Sequence, residues 1–109
     1  MPVFLERGNK SMEKVRINYD ISSDIIACPN HIAKNFDDYI GGIYEWIREN
    51  PEAKEYKMVD EEGDIGYYID TQVVLKYLNT MVIKDGEEKA YLVKHKALWF
   101  QRTKYYVYF

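Results

Sequence analysis

The sequence predicts an α+β domain: two helices packed on an antiparallel sheet in a βαββαβ-like order (a split βαβ sandwich) with an N-terminal arm. Three observations carry this expectation. Two stretches, 29–49 and 71–83, repeat apolar residues at spacings of three and four, the stripe of an amphipathic helix. Short runs between and around them alternate or are rich in β-branched and aromatic residues, as half-buried strands are. Their order, strand, helix, hairpin, helix, strand, closes two helices onto one sheet. At 109 residues the chain is one domain's length, with residues 15–109 as the domain and 1–14 as the arm.

Residues 1–11 carry no period, and Met12-Glu13-Lys14 resembles a second start, so the beginning reads as an arm or leader. From Val15 the chain alternates: Val15, Ile17 and Tyr19 on one face, Arg16 and Asn18 on the other. Ser22-Ser23-Asp24 breaks the strand. Pro29 suits a first helical turn, having no N–H to leave unpaired. The stripe Ile32, Phe36, Tyr39, Ile43, Trp46, Ile47 then defines helix 29–49, which Asn50-Pro51 ends. Gly41-Gly42 inside it costs roughly 1 kcal/mol per glycine relative to alanine. Either a kink or the close approach of another backbone explains the pair, and the second is the expectation.

Tyr56–Val59 and Ile65–Ile69 read as two strands, joined by the hairpin loop Asp60-Glu61-Glu62-Gly63-Asp64. Asp70 is a fitting N-cap for the second helix, whose stripe is Val74, Tyr77, Leu78, Met81 and Val82. Lys84-Asp85-Gly86 ends it. Residues 87–95 read as strand, with a short helix as the alternative. Residues 98–109, dense in Trp, Phe, Tyr and Val, read as a terminal strand.

Composition excludes several function classes. No apolar run approaches the ~20 residues of a membrane helix, and no secretory leader is recognisable. A single cysteine forms no internal disulfide, so a reducing, cytoplasmic compartment is expected. Neither GxxxxGK[ST] nor GxGxxG occurs, nor do Gly-x-Ser-x-Gly and HExxH, so no cofactor is expected.

Candidate chemistry is sparse. Cys28 and His31 are three residues apart and His95 is the other histidine, too few ligands for zinc. A Cys28–His31 nucleophile pair lacks an orienting acid and an oxyanion loop, so a buried structural cysteine is the expectation. Asp60, Glu62 and Asp64 alternate as calcium ligands do, but a calcium-binding loop wants glycine sixth and glutamate twelfth. Here glycine is fourth and Thr71 twelfth, so no metal is expected. In the terminal strand, alternation puts Phe100, Arg102, Lys104, Tyr106 and Tyr108 on one face. Trp99, Gln101, Thr103, Tyr105, Val107 and Phe109 fall on the other. Aromatics interleaved with cations make a stacking platform for single-stranded nucleic acid. Against that stand the missing RNA-recognition aromatic motif and a net charge of -3.

The strongest signal is charge segregation. Residues 37–70 hold eleven acids and three bases, a net of -8, whereas residues 84–109 carry a net of +3. On the first helix Asp38, Glu45 and Glu49 face away from the apolar stripe. Glu52, Glu55 and the 60–64 tip extend the acidic region, with Tyr44, Tyr56, Tyr67 and Tyr68 close in sequence. Carboxylates steer association with basic surfaces, and tyrosines supply rigid contact area. The leading expectation is therefore a small non-enzymatic protein that docks on a basic, nucleic-acid-handling protein and blocks it. That profile fits a phage or mobile-element inhibitor of a nuclease or CRISPR effector, or a toxin-immunity protein. Its docking residues would be Asp60, Glu61, Glu62, Asp64, Asp38, Glu45, Glu49 and Tyr68. Two alternatives remain: a single-stranded nucleic-acid module using Phe100, Arg102, Lys104, Tyr106 and Tyr108, or an oligomerisation subunit pairing through its terminal strand.

Overall fold

The architecture is taken from a computed structural model, which describes residues 12–50, 53 and 57–109. The expected arm up to Ser11, and Glu52, Glu55 and Tyr56, lie outside the described residues. The fold is α+β, with helices packed on a sheet. Strand β1 (Met12–Asn18) takes in residues 12–14, so it begins earlier than Val15. It turns through Tyr19–Ser22 into β2 (Ser23–Pro29), where the Tyr19 N–H donates to the Ser22 carbonyl at 2.8 Å. The two pair antiparallel, with Val15 opposite Ile26 and Ile17 opposite Asp24. Strand β5 (Tyr91–Lys94) flanks β2, and β6 (Tyr105–Tyr108) flanks β1, giving the order β5-β2-β1-β6.

This sheet is mixed rather than antiparallel, because β6 runs parallel to β1. A parallel neighbour needs a long crossover, and here most of the domain intervenes between the two strands. The sheet also differs from the expected one in its second strand. Ser22-Ser23-Asp24 is a hairpin turn rather than a break, and Asp24 to Pro29 are all buried. A central strand covered on both faces loses the alternation by which strands are recognised. The hairpin of β3 (Lys57–Val59) and β4 (Ile65–Tyr67) forms its own two-stranded sheet instead of joining the main one.

The first helical stretch is divided into α1 (Asn30–Ala33), α2 (Phe36–Ile40) and α3 (Ile43–Glu49). Pro29 ends β2 and precedes α1, and Gly41-Gly42 separates α2 from α3. The close approach expected at the glycines comes from a side chain. A Cβ on Gly42 would lie 2.7 Å from the Tyr77 hydroxyl oxygen. The second helix begins as expected: Asp70 Oδ1 accepts the Val73 N–H at 3.0 Å and caps α4 (Thr71–Tyr77). It continues into a π-helix (Leu78–Val82), closed by the Ile83 N–H donating to the Leu78 carbonyl at 2.7 Å. Only Tyr91–Lys94 of the 87–95 stretch is strand, and only Tyr105–Tyr108 of the 98–109 stretch.

The core fills the space between one sheet face and the helices. Val15, Ile17, Ile26, Cys28 and Val107 meet Ile32, Phe36, Ile43, Ile47, Val73, Val74 and Leu78, all buried. Among the described residues no helix is long and apolar enough to cross a membrane.

Candidate functional site

The opposite sheet face carries the candidate site. Side chains alternate across a strand, so Val107 points inward while Tyr106 and Tyr108 point outward. The register sets Arg16 beside Tyr106 and Asn18 beside Tyr108. Tyr106 is 61% and Tyr108 76% exposed, and their rings meet edge to face with centroids 5.9 Å apart. The segment between β5 and β6 folds over this face as a turn. The Gln101 N–H donates to the Leu98 carbonyl at 2.9 Å, and the Leu98 N–H donates to Gln101 Oε1 at 2.7 Å. At its tip Trp99 is 82% and Phe100 58% exposed, their rings 5.7 Å apart and perpendicular.

Arg16 fastens the turn to the sheet. One guanidinium nitrogen donates to the Leu98 carbonyl at 3.1 Å and the Gln101 carbonyl at 2.7 Å. Its Nε donates to Asn18 Oδ1 at 3.1 Å, and Asn18 Nδ2 donates to the Val107 carbonyl at 3.1 Å. The result is a groove of about 360 Å³ lined by Arg16, Asn18, Trp99, Gln101, Arg102, Thr103, Tyr106 and Tyr108. Among the described residues no carboxylate pairs with Arg16, Arg102 or Lys104. Lys104 lies over the Tyr105 ring, 5.5 Å from its centroid. The groove therefore offers stacking surface, unneutralised positive charge, and amide and hydroxyl groups.

A second anchor holds the start of the same segment, and the sequence reading missed it. Buried Asp24 on β2 accepts from Thr71 Oγ1 at 2.5 Å and from the Lys96 N–H at 2.9 Å, and its Oδ1 lies 3.0 Å from His95 Nδ1. The Ala97 N–H continues the attachment to the Ser23 carbonyl at 2.7 Å. Lys96 holds a positive φ of 56°, a conformation that side chains other than glycine adopt when the surroundings enforce it. Burial alone would raise the carboxyl pKa of Asp24. The Thr71 hydroxyl, the Lys96 N–H and His95 outweigh burial and hold it below the ordinary value. Burial pushes the neighbouring Tyr19 phenol up to about 12, against a 2.7 Å hydrogen bond to Thr71.

The expected stacking set is therefore partly corrected. Tyr106, Tyr108 and Arg102 share the groove, Phe100 sits at its exposed margin, and Lys104 caps a neighbouring ring. Trp99, which alternation placed on the other face, lines the groove because residues 98–104 are turn and irregular chain rather than strand. Arg16 and Asn18 belong to the site although they are remote in sequence. The outward polar positions of the first predicted strand were the available signal.

The expected docking acids Asp38, Glu45, Glu49, Asp60, Glu61, Glu62 and Asp64 are exposed but do not form one site. Asp60, Glu62 and Asp64 offer oxygens within 4.8 Å of one another at the hairpin tip, next to Glu61. Asp60 Oδ1 already accepts the Glu62 N–H at 2.9 Å and the Asp64 N–H at 2.8 Å, so this side chain shapes the turn. The hairpin leans on α3 through Tyr67 against Tyr44, centroids 5.5 Å apart, and through Lys57 Nζ donating to the Arg48 carbonyl at 3.0 Å. Glu45 and Glu49 lie one turn apart on α3, while Asp38 is on α2 and Tyr68 follows β4.

Cys28 and His31 do not make a reactive pair. Cys28 is fully buried, and burial with the Glu13 carboxylate pushes its thiol up to about 12. His31 is on the surface instead, with Nε2 3.6 Å from Glu87 Oε2. Comparison with protein-family models, curated proteins and solved structures finds no match to this chain.

Proposed function

We propose that the protein binds single-stranded nucleic acid through the groove between β6 and the Leu98–Gln101 turn. The exposure of Trp99, Phe100, Tyr106 and Tyr108 around two arginines that have no carboxylate partner among the described residues carries this reading. Ordinary sheet packing would have buried these rings, and a contiguous exposed aromatic patch on a small domain marks a contact surface. Bases stack on such rings whatever their sequence, and cations track the phosphates. The acidic total of the chain matters little here, because none of the described residues that line the groove is acidic and local charge governs phosphate contact. The single buried cysteine suits a reducing, cytoplasmic setting.

The test is fluorescence anisotropy of a fluorescein-labelled oligothymidine at low salt. Trp99→Ala and Tyr108→Ala should each cost about 1–3 kcal/mol of binding. Arg102→Ala should lower the slope of log affinity against log salt by roughly 0.7. Absence of any saturable anisotropy change at tens of micromolar protein sinks the proposal. A competing occupant is a second copy of the chain, since β6 is an edge strand. Light scattering that gives a monomer removes that alternative.

A second reading keeps the expectation of docking on a basic protein that handles nucleic acid. Its supporting observation is that the acidic hairpin and α3 adjoin through Tyr44 and Tyr67. Reversing Glu61 and Glu62 to lysine should then weaken capture of a basic partner, and steeply so as salt rises.

A further inference from the structure

The segment that carries the aromatic turn starts from an oriented histidine. His95 Nδ1 lies 3.0 Å from Asp24 Oδ1, and the imidazole is 64% exposed while the carboxylate side chain is only 8% exposed. Asp24 is itself fixed. Thr71 Oγ1 donates to Oδ2 at 2.5 Å, the Lys96 N–H donates to Oδ1 at 2.9 Å, and the Tyr19 hydroxyl braces Thr71 at 2.7 Å. Burial opposes ionisation there, but these donors and His95 together hold Asp24 as a carboxylate. A carboxylate only accepts hydrogen bonds, so the proton of a neutral imidazole beside it sits on Nδ1. Nε2 keeps its lone pair, and it has no partner among the described residues. A buried acid that fixes the tautomer and direction of a histidine in this way makes it a positioned base.

The surroundings of the ring are those of a phosphate-handling site. Lys94 and Lys96 flank it in sequence, both exposed and without a carboxylate partner among the described residues. Lys96 also holds the φ of 56°, and strained backbone in a residue other than glycine concentrates at functional sites. The histidine is tied to the end of the aromatic groove. Next along the chain, the Ala97 N–H donates to the Ser23 carbonyl at 2.7 Å. Ser23 Oγ donates to Asn18 Oδ1 at 2.7 Å, and Asn18 lines the groove. Trp99 is four residues beyond His95, so their Cα atoms are at most ~14 Å apart. A strand whose bases stack at Trp99 can therefore bring its backbone to His95.

We propose that His95 is a general base that cleaves single-stranded RNA held in the groove. RNA carries its own nucleophile, the 2′-hydroxyl. His95 Nε2 takes the proton of that hydroxyl, the 2′-oxygen forms a bond to the adjacent phosphorus, and the bond from phosphorus to the 5′-oxygen breaks. The departing 5′-oxygen takes a proton from water, and the imidazolium returns its proton to the hydroxide so formed. The products are a 2′,3′-cyclic phosphate and a 5′-hydroxyl, and nothing is oxidised or reduced. Lys94 and Lys96 supply positive charge beside the phosphate, while Asp24 is a positioning residue. The inference rests on the single-strand reading and adds to it a substrate, RNA rather than DNA, and a reaction.

The test incubates the whole protein, in excess, with fluorescein-labelled oligouridine at concentrations that saturate its anisotropy. Products are resolved by electrophoresis and their ends identified by mass. Wild type should shorten the oligomer and leave 2′,3′-cyclic phosphate ends. The 2′-O-methyl oligouridine should bind and stay intact, because its nucleophile is blocked. His95→Asn keeps a nitrogen donor toward Asp24 but has no Nε2, and should slow cleavage at saturation by about 10²–10⁴-fold. Rates compared at saturation are not moved by a change of affinity, and the 2′-O-methyl arm decides independently of how the variant folds. Binding of both oligomers without cleavage overturns the inference and keeps the single-strand reading. Cleavage by His95→Asn at the wild-type rate also overturns it, as does cutting of the 2′-O-methyl oligomer or products with 5′-phosphate ends. Absence of saturable binding to either oligomer or to oligothymidine overturns the single-strand reading, and the inference with it.

Discussion

Replacing Asp24 with asparagine tests how the aromatic turn is held. Asp24 is buried, and its two oxygens receive Thr71 Oγ1 at 2.5 Å, the Lys96 N–H at 2.9 Å and His95 Nδ1 at 3.0 Å. Asparagine preserves the volume, but its amide nitrogen would face donors, and the remaining oxygen is uncharged. Hydrogen bonds to a charged acceptor contribute about 1.5–3 kcal/mol each, and losing part of a buried charged network gives an expected loss of ~2–4 kcal/mol. With urea slopes of about 1–3 kcal/mol per M for small domains, the midpoint should fall by on the order of 1–2 M. The assay is urea unfolding followed by far-ultraviolet circular dichroism at neutral pH.

The pH dependence supplies a second check. The folded pKa of Asp24 lies below its unfolded value, so the carboxylate's contribution is fully present above the unfolded value of ~3.9. It is lost as pH falls through the depressed folded value. Wild type and Asp24→Asn should therefore converge in strongly acid solution. Equal midpoints at neutral pH, or a gap that persists undiminished in acid, would refute the assignment.

Four further outcomes follow from local geometry. Gly42→Ala should destabilise by about 1–3 kcal/mol in the same unfolding assay, because its Cβ would lie 2.7 Å from the Tyr77 hydroxyl oxygen and force the ring to move. Gly41→Ala meets only ordinary contacts at 3.5 Å and should change stability by no more than about 0.5 kcal/mol. Cys28, with its thiol pushed up to about 12, should react with a disulfide reagent only as fast as the protein unfolds, so rapid native labelling contradicts its burial. Arg16→Lys keeps the charge but cannot reproduce the forked donation to Leu98, Gln101 and Asn18, and should weaken oligothymidine binding several-fold in the anisotropy assay.

What was legible in the sequence follows the range of the signal. Asp70 as a cap, the tip of the 57–67 hairpin and the alternation of Val15 and Ile17 are local patterns, and each stands where periodicity and turn chemistry put it. The strand Ser23–Pro29 escaped because burial on both faces erases the period of two. The stretch 29–49 reads as one helix because its stripe runs across Gly41-Gly42 with little interruption, although the backbone breaks there, where the Tyr77 hydroxyl passes close to Gly42. The groove residues were half visible. Tyr106 and Tyr108 follow from alternation, whereas Arg16 enters through a parallel pairing of strands at opposite ends of the domain. No local pattern encodes that pairing, nor the bond between Asp24 and a histidine seventy-one residues later.

The structure also changes the weight of the two surfaces that charge segregation brought forward. At the acidic tip a non-binding explanation is sufficient: Asp60 forms the turn through two backbone N–H groups, and its neighbours are solvated carboxylates, as exposed hairpins commonly carry. At the basic end no such explanation suffices. Trp99 and Tyr108 gain nothing for the fold by standing in water, and exposed rings carry an aggregation liability. Yet the turn that carries Trp99 is fastened by Arg16 and its attachment begins at Asp24, and Tyr108 stands on β6, so the backbone under both rings is held by the fold. Rings held in place before a ligand arrives lose less conformational entropy on binding. An exposed aromatic surface on a fastened backbone, with cations that pair with no carboxylate among the described residues, is what the proposed single-strand stacking requires. If the proposed binding holds, the same fixation makes Asp24 matter for binding as well as for stability, although it lies beneath the surface that would meet the ligand.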